Sequence, residues 1–117
     1  MKVSPELEAK ILALAGQQAP APDVDDIDEK AFQAAIVKLA KRNGWKVYHV
    51  YYSQKSAGGF PDLVCLRGKR QVVAELKVKN RKPRPDQDEW LEAFRNVGAE
   101  VFVWWPRDWD EIERVLA

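Results

Sequence analysis

Asp62, Glu75 and Lys77 are the residues whose types and spacing could do chemistry together. Two β-rich runs, 62–67 and 71–79, flank Gly68-Lys69, a Gly-X pair that suits a type II′ hairpin turn. A two-residue turn there pairs Arg67 with Arg70. Pairing then runs outward one residue at a time until Asp62 lies opposite Glu75. Carboxylates so placed share one face of the hairpin, with Cβ atoms roughly 4.5–5.5 Å apart, and repel unless something compensates. A divalent cation is the natural compensation, since hard ions such as Mg²⁺ take one or two carboxylates plus water.

Strand alternation puts Lys77 on the face of Glu75 and turns Val72, Ala74, Leu76 and Val78 the other way. A Lys beside a cation-binding pair can orient a water or stabilise developing phosphoryl charge, while the ion acidifies water and polarises phosphate. Together these parts suit hydrolysis of a phosphodiester. Glu-x-Lys alone would describe only a solvated strand face, and a bulge would undo the register. The Gly-Phe-Pro-Asp lead-in and the hairpin turn are what lift the reading above that.

The elements that must position these residues can be read from caps and periodicity. Ser4-Pro5 opens a short helix over 5–15, with Gly16 as its stop. Residues 17–26, with two Ala-Pro steps and an acidic run, read as a linker. A longer helix spans about Ile27 to Arg42 and ends at Asn43-Gly44; Glu29, Phe32, Gln33, Ile36, Leu39 and Ala40 share its inward face. Residues 45–52 (WKVYHVYY) read as a strand, and 53–59 (SQKSAGG) as a Gly-rich loop. After the hairpin and the basic stretch NRKPRP, Asp86 with Glu89 forms a capping box for a helix through Trp90, Leu91, Phe94 and Val97. Ala99 to Trp105 is a further strand, and Asp108 with Glu111 opens a last short helix. The order predicts an α/β domain with a mixed sheet over 27–117, joined by the linker to an N-terminal helical appendage, 1–16.

Composition bounds the class. A chain of 117 residues makes one compact domain, and a net charge of +1 neither demands nor excludes a nucleic-acid partner. Cys65 is the sole Cys, so no intrachain disulfide forms and it is expected in the core. No apolar run approaches membrane-spanning length and the opening MKVSPELEAK is no signal peptide, so a cytoplasmic location away from membranes is expected. Five Trp are many for this length and point to core anchors or a partner interface.

GFPDLVCL (59–66) followed by AELK (74–77), with Gln87 opening the next helix, resembles the VRR-NUC branch of the PD-(D/E)XK nuclease superfamily. Gly44-Trp45 and the Gly98-Ala99 turn extend the likeness over about 29–117, leaving the N-terminal helix outside it. The resemblance implies a restriction-endonuclease-like core, a four-stranded sheet flanked by helices in the order αβββαβ. It implies that Asp62, Glu75 and the Leu76 backbone carbonyl hold Mg²⁺ or Mn²⁺, that Lys77 serves the attacking water, and that Gln87 lies near the site. It also matches Glu29 to the family's early-helix acid. Glu29 has a competing structural job as partner of Asp26 in a capping box, and Gln33, one turn on, could take the site position instead.

The residues around this centre sort accordingly. Gln87 falls in phase with Trp90, Leu91 and Phe94, so its amide points inward, toward a site carboxylate or back to the helix N-terminus. Lys79, Arg81, Lys82 and Arg84 follow the catalytic strand and suit DNA phosphate contacts, with Lys55 and Ser56 as further candidates. His49 reads as a half-buried structural residue. The expected activity is that of a deoxyribonuclease working on branched DNA as a homodimer, like Holliday junction resolvases. The alternatives are a nickase or flap nuclease, or a non-catalytic DNA-binding module of the same fold.

Overall fold

The computed structural model describes residues 27–49 and 58–117. The N-terminal helix, the linker, the end of the 45–52 strand, Lys55 and Ser56 lie outside these described residues. Helix α1 spans Glu29–Arg42, and Asp28 caps it by accepting the Ala31 N–H at 2.7 Å. The helix thus begins two residues later than the periodicity suggests, because Asp28 takes the cap. Phe32, Ile36, Leu39 and Ala40 bury its inner face, and Gly44, at φ +86°, turns the chain out of it.

Four strands follow: β1 (Lys46–His49), β2 (Leu63–Arg67), β3 (Arg70–Leu76) and β4 (Glu100–Trp104). They lie side by side in that order, antiparallel except for β3 and β4, which run parallel. Parallel neighbours need a crossover, here supplied by α2 (Pro85–Asn96). A 3₁₀ turn (Pro106–Asp108) then leads into α3 (Trp109–Leu116). This is the mixed, helix-flanked four-stranded α/β sheet that the sequence implied. No helix among the described residues is long and apolar enough to cross a membrane.

Period-two alternation divides the sheet into two faces. Leu63, Cys65, Val72, Ala74 and Leu76 pack with α1 and α3 in the larger core. Val73, with Val64, Val101 and Val103, packs against Leu91 and Phe94 of α2. The β2–β3 register is the one the turn dictates, from Arg67↔Arg70 to Leu63↔Ala74. Only Gly68 of the two turn residues has positive φ, at +60°, as a type II′ turn requires.

Two expected caps are built differently. Arg84, not Asp86, is the N-cap of α2, since Pro85 fits the first helical position with its preset φ. Asp86 instead accepts the Gln87 N–H at 3.0 Å. Asp108 caps backward, accepting the Trp105 N–H at 2.8 Å, and Glu111 accepts the Trp104 indole N–H at 3.0 Å. β3 also ends at Leu76 rather than Lys79: Lys79 lies in a turn at φ +56°.

At the end of the sheet away from Asp62, Trp45 ties α1, the hairpin and α3 together. Its indole N–H donates to the Leu116 carbonyl at 2.9 Å, and the Arg67 and Arg70 guanidiniums lie 4.5 and 5.0 Å from its ring. Arg67 also donates to the Asn43 carbonyl, and Arg70 forms a two-pronged bond to Glu100. Trp45, Trp104 and Trp109 are therefore core anchors. Replacing Trp45 with Phe keeps a ring but leaves the Leu116 carbonyl without this donor. It should lower unfolding stability by about 1–3 kcal/mol, read from the urea midpoint.

Candidate active site

Asp62 immediately precedes β2, and continuing the observed register places it opposite Glu75. The hairpin therefore brings together the two carboxyl groups that the turn predicts. Glu75 and Lys77 project toward the α2 side of the sheet, away from the larger core. Both are buried, and the Lys77 ammonium lies 3.1 Å from Glu75 Oε2. The Lys77 N–H donates to the Trp104 carbonyl at 2.9 Å, so pairing with β4 holds its backbone one residue past β3.

Gln87 closes the group from α2. Its side-chain N–H donates to Glu75 Oε2 at 2.6 Å, while its Oε1 accepts the Arg84 N–H at 2.9 Å. The amide thus does both jobs that were open to it: one end caps the helix, the other orients the carboxylate. Asp62 Oδ2 accepts the Leu76 N–H at 2.8 Å. Glu75 Oε1 is buried without a hydrogen-bond partner among the described residues.

The electrostatics are those of crowded acids. Burial first, and then the Asp62 charge, push the Glu75 carboxyl up to about 8, against the pull of Lys77. Burial likewise raises Asp62, opposed by the Leu76 N–H bond. Glu29 is at the first position of α1, where Asp28 has relieved it of capping duty. Its carboxyl is raised by burial and by the Asp62 charge, with Lys77 and Arg81 pulling it down. It therefore shares the electrostatic field of the site. Among the described residues, Gln33 makes no hydrogen bond to the Asp62, Glu75, Lys77 and Gln87 group.

The segment before Asp62 is clamped onto α2. The Trp90 indole donates to the Gly58 carbonyl at 3.0 Å, and Phe60 meets Trp90 and Phe94 edge-on at 5.1 and 5.8 Å. Gly59 takes φ +81°, and a Cβ there would sit 2.5 Å from the Asp86 carbonyl oxygen. From the sequence this stretch is a Gly-rich loop running into the Gly-Phe-Pro-Asp lead-in, and what its glycines approach is invisible without α2 in place.

Among the expected phosphate contacts, Lys79, Arg81, Lys82 and Arg84 are all exposed, on a loop held by the Trp105 indole bond to the Arg81 carbonyl at 3.0 Å. Arg84 is partly engaged by Asp86 at 3.3 Å. His49 pairs with Leu63 and so lies on the α1 face, away from Glu75; burial and then the Lys41 charge push its imidazole down. Cys65 is buried, its thiol pushed up to about 11 by that burial.

Among the described residues, no three His, Cys, Asp or Glu side chains already converge as a metal cluster. The donor set is two carboxyls and, beside them, the Leu76 backbone, with Glu29 nearby. That fits a hard ion taking one or two carboxylates and completing its shell with water. The unpartnered Glu75 oxygen and the raised acids are what such an ion would relieve.

The family model described as the VRR-NUC domain matches residues 4–105, reaching back into the segment ahead of α1 and stopping short of α3. A solved structure titled as a VRR-NUC domain is similar with a TM-score of 0.61 at 27% identity. That likeness covers 75% of this chain and 92% of the other. No curated protein matches the chain.

Two outcomes test the site as described. Glu75→Gln should change how stability depends on pH. Below about 4.5, Glu75 is protonated whether folded or not; between 4.5 and about 8 the unfolded chain releases that proton while the folded chain keeps it. Metal-free wild type should therefore lose stability as pH rises through this window, and the variant should lose less, as thermal melts in chelator would record. Gly59→Ala should lower stability by about 1–3 kcal/mol through strain and the Asp86 clash, seen in the melting midpoint.

Proposed function

The chain belongs to the VRR-NUC domain family, a nuclease-related family, and on that premise we propose that it is a Mg²⁺- or Mn²⁺-dependent endonuclease acting on DNA. The observation that carries the reading is the facing Asp62–Glu75 pair, Glu75 buried and Asp62 half-buried, with an unpartnered Glu75 oxygen and the Lys77 ammonium 3.1 Å from Glu75. A retired site would have no reason to bury Glu75 and the Lys77 ammonium beside a second, facing acid, where charge is expensive.

Asp62, Glu75 and the Leu76 carbonyl would hold the cation, with Glu29 within reach of the same field. The chemistry supplied by an ion bound there is acidification of water and neutralisation of phosphate charge. Lys77 presents a positive charge where phosphoryl charge develops and can hold the nucleophilic water by a hydrogen bond. Gln87 fixes the Glu75 carboxylate, so that one oxygen is engaged and the other left for the ion. The exposed cations of 79–84 would take DNA phosphates on the approach to this centre, which positions the duplex without reading its sequence. We place the preferred substrate among branched DNAs, cut by a homodimer whose two symmetric sites match a four-way junction's two symmetric strands.

Labelled four-way, flap, splayed and linear DNAs, incubated with and without Mg²⁺ or Mn²⁺, test the reading. Paired, symmetric cuts in the four-way junction are expected only with metal. Cleavage confined to flaps or single-strand ends would replace the branched-DNA assignment, and no metal-dependent cleavage of any DNA would overturn the enzyme reading. Asp62→Ala should reduce cleavage by a factor on the order of 10² or more while leaving DNA binding largely intact.

A further inference from the structure

Pro61 has no chemistry of its own, yet it stands at the position where the hairpin ladder meets the acidic pair. The residues flanking a two-residue hairpin turn exchange both backbone hydrogen bonds, and such bonded pairs recur at every second position. From Arg67↔Arg70 the bonded pairs are therefore Cys65↔Val72 and Leu63↔Ala74. The next in the series would be Pro61 opposite Leu76, but the pairing ends at Leu63↔Ala74 and the chain bends at Asp62.

The other edge of β3 gives the same parity. The N–H and C=O of one strand residue point to the same side, and successive residues alternate. The Lys77 N–H points to β4, where it bonds the Trp104 carbonyl at 2.9 Å. The Leu76 N–H and C=O must then point toward β2, and the Leu76 N–H is indeed met from that side by Asp62 Oδ2 at 2.8 Å.

The Leu76 carbonyl is a different case. A further rung would need an N–H from residue 61; proline has none, and the ladder stops short of this carbonyl. Pro61 is fully buried, as is Leu76, and no side chain among the described residues donates to the Leu76 carbonyl. A buried carbonyl without a partner costs stability unless some other group takes its lone pairs. This one borders Asp62 on one side and follows Glu75 on the other.

We propose that Pro61 is a positioning residue for the cation: by withholding an N–H opposite Leu76, it keeps the Leu76 carbonyl out of the sheet and open to the ion. The inference rests on the cation reading given above and adds a cause for the carbonyl's availability. It separates the job of Pro61 from the loop stiffness that any proline provides.

Two replacements that share a methyl side chain and the same lost ring decide the matter. Pro61→Ala introduces an N–H, whereas lactate at position 61, joined through a backbone ester, introduces none. Mn²⁺ titration, followed by water-proton relaxation, should show affinity lowered about 10-fold or more by the alanine, with lactate retaining near wild-type affinity. Without metal, the new amide at position 61 should be protected from hydrogen exchange, and the Leu76 carbonyl ¹³C shift should move in the alanine variant alone.

Equal Mn²⁺ affinity in the two variants, or an unprotected amide at 61, would overturn the role given to Pro61 even if the wild type binds Mn²⁺. Failure of the wild type itself to bind Mn²⁺ would overturn the cation reading, and with it the purpose assigned to Pro61. A protected amide in that case would still fix the ladder geometry.

Discussion

Everything near the centre of this molecule answers to two carboxyl groups that a hairpin forces to face each other. Asp62 and Glu75 are not free to avoid one another, because the register is set at the far end of the hairpin by the Gly68 turn. Slipping one strand by one residue would relieve the acids but would turn Leu63 and Cys65, or else Val72 and Ala74, out of the larger core. Hydrophobic burial on one face thus enforces electrostatic conflict on the other. Lys77 and Gln87 reduce the conflict, and Glu75, held well above the ordinary carboxylate range, shows that they do not remove it. Unrelieved charge of this kind is characteristic of functional sites, where stability gives way to activity.

The surrounding contacts make sense as devices that hold this conflict in one geometry. Gln87 reaches Glu75 only if α2 begins at Pro85, and its own Oε1 helps to begin the helix there. Asp62 stays in register only if the chain before it is fixed, and the Gly58–Phe60 segment is fixed against Trp90 and Phe94 of the same helix. One helix N-terminus therefore disciplines both acids, one by a direct hydrogen bond and the other through the preceding loop. That coupling explains why Gly59 lies against Asp86 and Gln87 so closely that no side chain fits.

Much of this was legible in the sequence, and the reason is physical. A two-residue turn fixes the register of a whole hairpin, so Gly68-Lys69 alone placed Asp62 opposite Glu75 and put Lys77 beside them. Periodicity likewise located α1, the strands and α2 to within a few residues. The caps were harder, because Asp28, Asp86 and Asp108 are all plausible caps by type and only tertiary context chooses among them. Asp86 lost its place to Arg84 because Pro85 suits the first helical position; Asp108 caps the 3₁₀ turn, and Glu111 is drawn to the Trp104 indole. Contacts between distant segments, such as Trp90 on Gly58 or Trp105 on Arg81, leave no periodic trace at all. The residues 1–26 and 50–57, including Lys55 and Ser56, stand outside what the described structure can place.

The basic loop shows how the end of a sheet shapes what lies beyond it. Lys77 still pairs with Trp104, but β4 runs into Pro106, which has no N–H to offer, so β3 has no further partner to follow. The chain turns at once, with Lys79 at φ +56° and the Arg81 N–H bonded back to the Val78 carbonyl at 3.2 Å. A left-handed Lys costs about 1–2 kcal/mol relative to its right-handed form, and the Trp105 bond to the Arg81 carbonyl helps to hold it. The abrupt turn keeps the cations close to the acids: Arg81 is near enough to pull on Glu29. A strand that continued past Leu76 would have carried those charges away along the sheet axis. Proline at both flanks of β3, Pro61 and Pro106, thus ends the hydrogen-bonded ladder where backbone groups and positive charge are needed together.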